Sequence, residues 1–439
     1  MSSPASPGGD DCDVLVIGGG PAGSTAAALL ARRGRDVVLL ERDRHPRFHI
    51  GESLLPRNLP IFDRLGVRNA IHALGVLKPG AEMVSDATGR SVDFNFATGA
   101  DREFTYSYQV RRADFDAMLF ANVRHHGGRT IEGMRAIDVR LDRAGRGAAC
   151  MVTARDADGA LHHFAPRFLL DASGRDTFLA RRLGLKVADK RNNTAAVYAH
   201  FRNVACRQDD MAGCISIHLT DEGWFWVIPL RDETTSVGFV GNQAAFKARG
   251  GSPRDLLFQR IRGSPTLRAR MSEASVVSEV MAAGNYSYRA SACWGDGYMM
   301  IGDAFAFIDP VFSSGVLLAM TAGMLGADVA HAWLDDEAKG RQLARRSEQQ
   351  LRSGMDRLGW LIYRINTPVM RHMLLAPNNR FRMRDAVTSL LAGNLHGVPG
   401  LRLPLIAFKA AYRVLSVASH LGVPLVETPS ATNQSSAVR

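Results

Sequence analysis

Acidic residues are nearly missing from the last quarter of this 439-residue chain. From residue 341 onward four Asp/Glu stand against fourteen Arg/Lys, a balance of +10, while the first 340 residues hold thirty-nine and forty. The net charge of +11 is therefore local. Such asymmetry marks either a surface for an anionic partner or a solvated arginine face on helices. Cysteine is sparse too. Cys12, Cys150, Cys206, Cys214 and Cys293 are odd in number, and no two have the short spacing of a zinc or redox site. Five structural thiols in a reducing cytoplasm is the economical reading, with no metal expected. Long apolar runs are lacking. The longest uncharged stretch, Pro310 to Ala327, is diluted by Pro, Gly, Ser and Thr and reads as a buried helix rather than a span. The opening "MSSPASPGGDD" has no secretory pattern and, like the closing "PSATNQSSAVR", reads as a frayed end. Tryptophan is rare, five in all, yet two lie two positions apart in "DEGWFWVIPL".

What is present is a composition, 46% hydrophobic and 22% charged, that suits a globular protein with a large core. The length allows two domains or one large interleaved one. In "DVLVIGGGPAGSTAAALLARRGRDVVLLERD", Asp13 to Ile17 reads as a strand, Ser24 to Arg33 as a helix, and Val37 to Leu40 as a second strand ending in Glu41. Gly18, Gly20 and Gly23 fit G-x-G-x-x-G, which lets a pyrophosphate approach backbone N–H groups at a helix N-terminus. Glu41, eighteen residues past Gly23, stands where an acid binds a ribose hydroxyl. This pattern is a dinucleotide site, for FAD or NAD.

Two later segments choose between them. "RFLLDASGRDTFLARRLGL" holds a strand, Phe168 to Leu170, and then Asp171; "GYMMIGDAFAFIDP" holds a strand, Tyr298 to Ile301, and then Gly302-Asp303. With these segments the chain resembles the FAD-dependent monooxygenase superfamily, from about Asp13 to Ala330. The resemblance implies that Gly302-Asp303 contacts the ribityl chain and that Asp171 lies at the cofactor. "RFHIGESLLP", with Ser53, and "QVRRADFDAML", with Arg112, resemble the geranylgeranyl-reductase-like branch, which implies that Ser53 and Arg112 contact FAD. Only one G-x-G-x-x-G exists, so no separate nicotinamide domain is expected.

Trp224 and Trp226 alternate around Phe225, so in a strand they share one face, and "TTSVGFVG" reads as the hairpin partner. A half-buried aromatic strand is the plain reading. However, Trp224-x-Trp226-x-Ile228-Pro229 has the form W-x-W-x-I-P, the run from Phe307 to Gly315 has the form F-x-x-P-x-x-S-x-G, and Lys78 precedes Gly80-Ala81. Together these resemble the flavin-dependent halogenases. The resemblance implies a two-component enzyme: a partner flavin reductase supplies FADH2, and chloride or bromide is oxidised with O2. Trp224 and Trp226 would wall the flavin from the substrate. Lys78 would hold or carry the electrophilic halogen, although a lysine beside Pro79-Gly80 also suits a solvated turn. Backbone N–H groups of Ser314 and Gly315, opening a helix, suit the halide. Phe312 stands where the tryptophan-type enzymes carry a glutamate, which places the chain with the branch acting on phenols and pyrroles.

The expected architecture is mixed α/β: a Rossmann-type FAD domain (13–75, 106–185, 292–335) interleaved with an antiparallel-sheet substrate domain (76–105, 186–291), after a tail (1–12) and before a helical region (336–439). "RQLARRSEQQLRSGMDRLGWLIYRI" reads as an arginine-rich helix, "MRHMLLAPNNRFRMRDAVTSLLAGNL" as two shorter ones around Pro377-Asn378-Asn379, and "LRLPLIAFKAAYRVLSVASHLG" as an apolar one. Some relatives in the resembled family act on arenes carried by acyl carrier proteins, which are acidic; the basic quarter fits such docking, through Arg345, Arg346, Arg352, Arg380, Arg382 and Arg384. A membrane surface is the rival, since the final helix is apolar with basic flanks. Nucleic acid is not expected, because no binding motif accompanies the charge. Two other readings share the scaffold: a prenyl-chain reductase, and a flavin-binding scaffold without turnover.

Overall fold

The computed structural model describes residues 10–99, 102–141, 150–189, 194–242, 246, 251–284, 287–309, 311–377, 379–395 and 400–423. Most of the expected N-terminal tail, all of the closing one, and Pro310 and Asn378 of the quoted motifs lie outside these residues. The chain forms two compact units, within Met1–Gly75, Val110–Asn192 and Tyr286–Asp356 for one, and Val76–Gln109, Asn193–Asn285 and Arg357–Arg439 for the other. The arginine-rich helix Glu337–Ile362 runs across that boundary, and the helices after it fall within the second unit.

The first unit is built on a parallel sheet. Asp10–Ile17 lies between Leu161–Asp171 and Val37–Glu41, with Arg129–Glu132 outside the latter and Tyr298–Met300 outside the former, all parallel. Strands buried on both faces need near-continuous apolar sequence, and "VVLL" at residues 37–40 and "FLL" at 168–170 supply it: each of these residues is at most 1% exposed. The helix after the first strand is Pro21–Ala31, three residues earlier than composition indicated. Gly20 caps it and Pro21 opens it, because a proline loses no intrahelical hydrogen bond in the first turn. Against it packs Gly315–Asp335, the one helix among the described residues long and apolar enough to cross a membrane. Half of its apolar window is buried. A Cβ on Gly323 would lie 2.4 Å from the Ala22 carbonyl oxygen, so the two helices touch backbone to backbone.

The second unit is built on a largely antiparallel sheet. Its order is Ser275–Val276, Thr194–Arg202, Thr235–Asn242, Gly223–Pro229, Ile215–Thr220, Gly80–Ser85, Ser91–Asn95. Only Ile215–Thr220 and Gly80–Ser85 pair in parallel. The alternation of Gly223–Pro229 gives each face its own partners. Phe225 and Val227 join Val197, Phe201, Val237 and Phe239 in an apolar cluster with Leu256, Leu257 and Ile261, from helix Pro253–Gly263, and Leu267, from helix Pro265–Arg270. Trp224 and Trp226 point to the other face. Helix Pro368–Leu375 packs against the strands Gly80–Ser85 and Ser91–Asn95.

Candidate active site

In the first unit the glycine-rich turn is shaped by contacts that exclude side chains. Gly18 has a φ of +105°, and a Cβ there would lie 2.3 Å from the Ala172 carbonyl oxygen; one on Gly23 would lie 1.9 Å from the Gly18 carbonyl oxygen. Glu41 ends the second strand, 4% exposed, and its carboxylate accepts from the Gly19 N–H at 2.8 Å and the Asp43 N–H at 3.0 Å. Ser53 is buried. Asp171 is fully buried and accepts from the Ser173 N–H at 2.9 Å and the Leu179 N–H at 2.7 Å, so it braces its own turn; burial raises its pKa. Gly302 has a φ of +59° and begins a short turn with Asp303. The Asp303 carboxyl is pushed up to about 6 by burial, against the opposing pull of Arg112 and Arg175. Among the described residues it accepts no hydrogen bond. A half-buried carboxyl with unused acceptors beside a side-chain-free turn fits the sugar-alcohol chain of a flavin.

Arg112, 5% exposed, spends its guanidinium within the protein: Nε and Nη2 donate to Asp116 at 2.8 and 3.0 Å, and Nη1 to the Ile50 carbonyl oxygen at 2.8 Å. It holds the "HIGES" loop in place. The arginine beside the glycine-rich turn is Arg47, which sequence reasoning passed over. Its Nη2 lies 3.3 Å from the Glu41 carboxylate and would be 3.7 Å from a Cβ on Gly20, and its Nη1 is 3.5 Å from Asp116. The basic run "RDRHPRF" was the available signal, but nothing in it singles out one arginine. Arg47→Ala is expected to weaken FAD binding about tenfold, the usual value of one hydrogen bond to a charged group. Titration of flavin fluorescence against unchanged thermal stability reads this; unchanged affinity removes Arg47 from the site.

Ser314 caps Gly315–Asp335 and is 1% exposed; its hydroxyl oxygen is buried and meets no hydrogen-bond partner among the described residues. Nothing described lies within 4 Å of the position a Cβ on Gly315 would take. A donor-lined opening at the start of a long helix has the electrostatics an anion needs. Phe312 is buried.

In the second unit Lys78 is not a solvated turn residue. It ends the strand Val76–Lys78, which pairs antiparallel with Ser107–Gln109, and it is 1% exposed. Its ammonium lies 5.5 Å from the Phe96 ring centroid. Burial pulls its pKa down to about 7, against a smaller opposite effect from the Cys214 thiol. Cys214 is buried as well, and burial pushes its own pKa up to about 12. The turn before Cys214 fits tightly on this strand: a Cβ on Gly213 would lie 2.1 Å from the Leu77 carbonyl oxygen, and Gln109 Nε2 donates to the Gly213 carbonyl oxygen at 3.1 Å.

In the larger sheet of the same unit, separate from the two-stranded sheet that carries Lys78, Trp224 and Trp226 are 2% and 6% exposed, with ring centroids 6.0 Å apart. Tyr198 lies 5.8 Å from Trp226, whose indole Nε1 donates to Ser236 Oγ at 3.1 Å. Gly238, directly opposite, carries no side chain because the indole fills its place: a Cβ would lie 2.2 Å from Trp226. Arg371, on helix Pro368–Leu375, donates to the Thr220 carbonyl oxygen at 2.6 Å and the Gly223 carbonyl oxygen at 3.3 Å, pinning the hairpin that leads into Trp224.

The family model described as "FAD binding domain" matches residues 11–355. A 1H-pyrrole-2-carbonyl-[peptidyl-carrier protein] brominase of Pseudoalteromonas luteoviolacea (strain 2ta16) is 30% identical over 90% of this chain and 95% of its own length. The chain belongs to the flavin-dependent halogenases. A tryptophan 2-halogenase of Chondromyces crocatus is 35% identical over 72% of this chain, and the match spans 60% of that halogenase's own length. The myxobacterial chondrochloren halogenase CndH superposes with a TM-score of 0.77 at 30% identity, over 94% of this chain and 91% of that one. In this family member the glycine turn, Glu41 and Asp303 stand in one unit, while Lys78 and the tryptophan strand belong to the other.

Proposed function

We propose that this halogenase converts an electron-rich aromatic ring, a phenol or pyrrole, to its chloride or bromide in the biosynthesis of a secondary metabolite. The glycine turn and Asp303 would hold FAD reduced by a separate flavin reductase, which would activate O2 as the oxidant that turns halide into hypohalous acid. Ser314 and Gly315 hold the halide through N–H and O–H donors. The paired indoles of Trp224 and Trp226 would keep the arene from direct oxygenation. The neutral amine of Lys78 takes the halogen from hypohalous acid, releasing water, and presents it to the ring; the ring carbon then takes the halogen, and the amine recovers the proton lost from that carbon. The ring's own oxygen or nitrogen stabilises the cation formed in between, consistent with Phe312 in place of a carboxylate.

The observation that carries this reading is the state of Lys78. A lysine at its ordinary pKa is almost wholly ammonium at neutral pH and no nucleophile; Lys78, 1% exposed against the Phe96 ring, is pulled down to about 7 by burial, which favours the amine. The test supplies reductase, NADH, FAD and chloride or bromide with phenols and pyrroles, free and carrier-bound, and reads the halogen isotope pattern by mass spectrometry. Saturation of a prenyl chain would move the protein to the reductase reading. Flavin binding with no product on an adequate panel would make it a scaffold.

The substrate is proposed to arrive on an acidic carrier protein. The brominase named above is a carrier-protein enzyme by its name, and it aligns with 90% of this chain, including part of the basic quarter. Not every expected arginine is available. Arg384 donates to the Asp93 carbonyl oxygen at 3.0 Å and Arg352 pairs with Glu348 at 2.6 Å. Arg380 and Arg382 are exposed, on either side of Phe381, which is 68% exposed; Arg382 also pairs with Asp385 at 3.2 Å. Arg380→Glu with Arg382→Glu is expected to lower kcat/KM for carrier-bound substrate about tenfold at low salt, with kcat little changed, and salt should have the same effect on the parent enzyme. Efficient turnover of a free phenol with none of the carrier-bound form would refute the docking.

A further inference from the structure

The terminal helix Arg402–His420 buries one face and leaves the other in the open. Pro404 and Phe408 are buried, whereas Leu403 is 76% exposed, Ile406 53%, Val414 68%, Val417 61% and, just past the helix, Leu421 78%. With Ala410, also exposed, these residues are spaced three, four, four, three and four apart. That spacing sets them in a single aliphatic stripe, about 27 Å long at 1.5 Å per residue. The helix contains no Asp or Glu.

Next to the stripe lies a collar of cations around Trp360. The Arg364 guanidinium and the Lys409 ammonium sit 4.7 and 5.1 Å from the Trp360 ring centroids, and the Tyr412 ring is 5.4 Å away. Arg357 and Lys409 also line a pocket whose other walls include Leu361, Leu390, Leu405 and Phe408. Arg413 completes the group, and with burial these three arginines pull the Lys409 pKa down. Among the described residues, no carboxylate is ion-paired with Arg357, Arg364, Lys409 or Arg413. Arg357 and Arg364 each donate one N–H to a backbone carbonyl oxygen, of Leu395 at 2.7 Å and Trp360 at 2.9 Å, which leaves their charge unneutralised. Four cations without a paired carboxylate, next to an outward aliphatic stripe, call for an occupant that is both anionic and apolar.

We propose that this face rests on an anionic lipid bilayer, the stripe at the acyl boundary and the four cations at headgroup phosphates. An amphipathic helix binds in this way through apolar area and attraction to anionic lipid together. A second copy of the chain fits less well, because an antiparallel self-pairing of the stripe would bring Arg413, near its middle, and its neighbouring cations toward their own copies with no acid between them. An acidic carrier would answer the charge, but not six aliphatic positions over such a length, since transient docking surfaces are smaller and more polar. From sequence the membrane had only the final helix in its favour. The fold supplies the rest by bringing residues 357 and 364 beside 409 and 413.

The test is flotation of the full chain with vesicles of phosphatidylcholine alone and of phosphatidylcholine with phosphatidylglycerol. Binding is expected only to the second, and to weaken with salt. Lys409→Gln with Arg413→Gln should lower the partition coefficient about fivefold per cation removed. Val414→Glu with Val417→Glu, at exposed positions, should abolish binding with the thermal midpoint unchanged. Absence of binding to anionic vesicles, or binding indifferent to both pairs, overturns the proposal. So does a dimer in sedimentation velocity that Val414→Glu with Val417→Glu dissociates, or an effect confined to carrier-bound turnover without vesicle binding.

Discussion

Lys78→Ala is expected to bind FAD and consume O2 at near-parental rates while aryl halide formation falls by about 10²- to 10⁴-fold, the range for loss of a positioned catalytic group. Lys78→Arg should be equally inactive, because a guanidinium is never neutral in this pH range. The pH dependence separates the two roles open to the lysine. If the amine takes the halogen, turnover rises with pH through about 7, where the ammonium gives up its proton. If the ammonium only donates a hydrogen bond to hypohalous acid, turnover falls through the same pH. The amine route is the one expected here. A variant lacking Lys78 that retains most halogenation would remove the residue from the reaction.

The same lysine should show itself in stability. Its pKa is about 7 in the folded chain and 10.5 in the unfolded one. Below about 7 both states hold the proton and the cost of burying an ammonium is fully present. Between about 7 and 10.5 the unfolded chain binds the extra proton, so stability rises with pH. Lys78→Met is expected to raise the acid-side melting temperature and flatten this dependence.

The second large effect is expected at the tryptophan strand. Trp226→Ala removes a buried indole and should cost about 3–5 kcal/mol of stability. More telling is the ratio of aryl halide formed to O2 consumed, which should collapse as oxidant is lost to side reactions, while FAD affinity, set in the other unit, stays. Gly238→Ala reaches the same end from the opposite strand: its methyl would enter space the indole occupies, at 2.2 Å, and force the ring to move. Trp226→Phe keeps a ring and should keep much of the coupling. If Trp226→Ala and Gly238→Ala both couple oxygen to halogenation normally, the strand is merely core.

The FAD half of this protein was legible because its information is local. A G-x-G-x-x-G between two apolar strands, with an acid at the end of the second, specifies a turn, a helix and an acceptor within about thirty residues. The tryptophan hairpin was legible for a similar reason: period-two alternation predicts which side chains share a face, and Gly223–Pro229 pairs with Thr235–Asn242 as its sequence indicated. What alternation left open was which face is the ordinary core. Phe225 and Val227 take it, under the helices Pro253–Gly263 and Pro265–Arg270, and the tryptophans do not.

By itself the sequence determined the glycine-rich turn between two apolar strands, the strand that carries the indoles, and the concentration of positive charge after residue 341, since composition and short-range periodicity decide each of these. Only the tertiary structure decided the state of Lys78. The dipeptides around it read as a turn, and its burial comes from strand Ser107–Gln109, the Phe96 ring and the Gly213-Cys214 turn, all distant in sequence. The same holds for the arginines. Sequence counts fourteen basic residues in the last quarter but not which are spent. Arg371 is taken up by the tryptophan hairpin and Arg384 by the Asp93 carbonyl oxygen, while Arg364 and Lys409 lie over the Trp360 ring and Arg357 lines a pocket with Lys409. Charge is fixed by composition, but desolvation and pairing depend on what the fold places within a few ångströms.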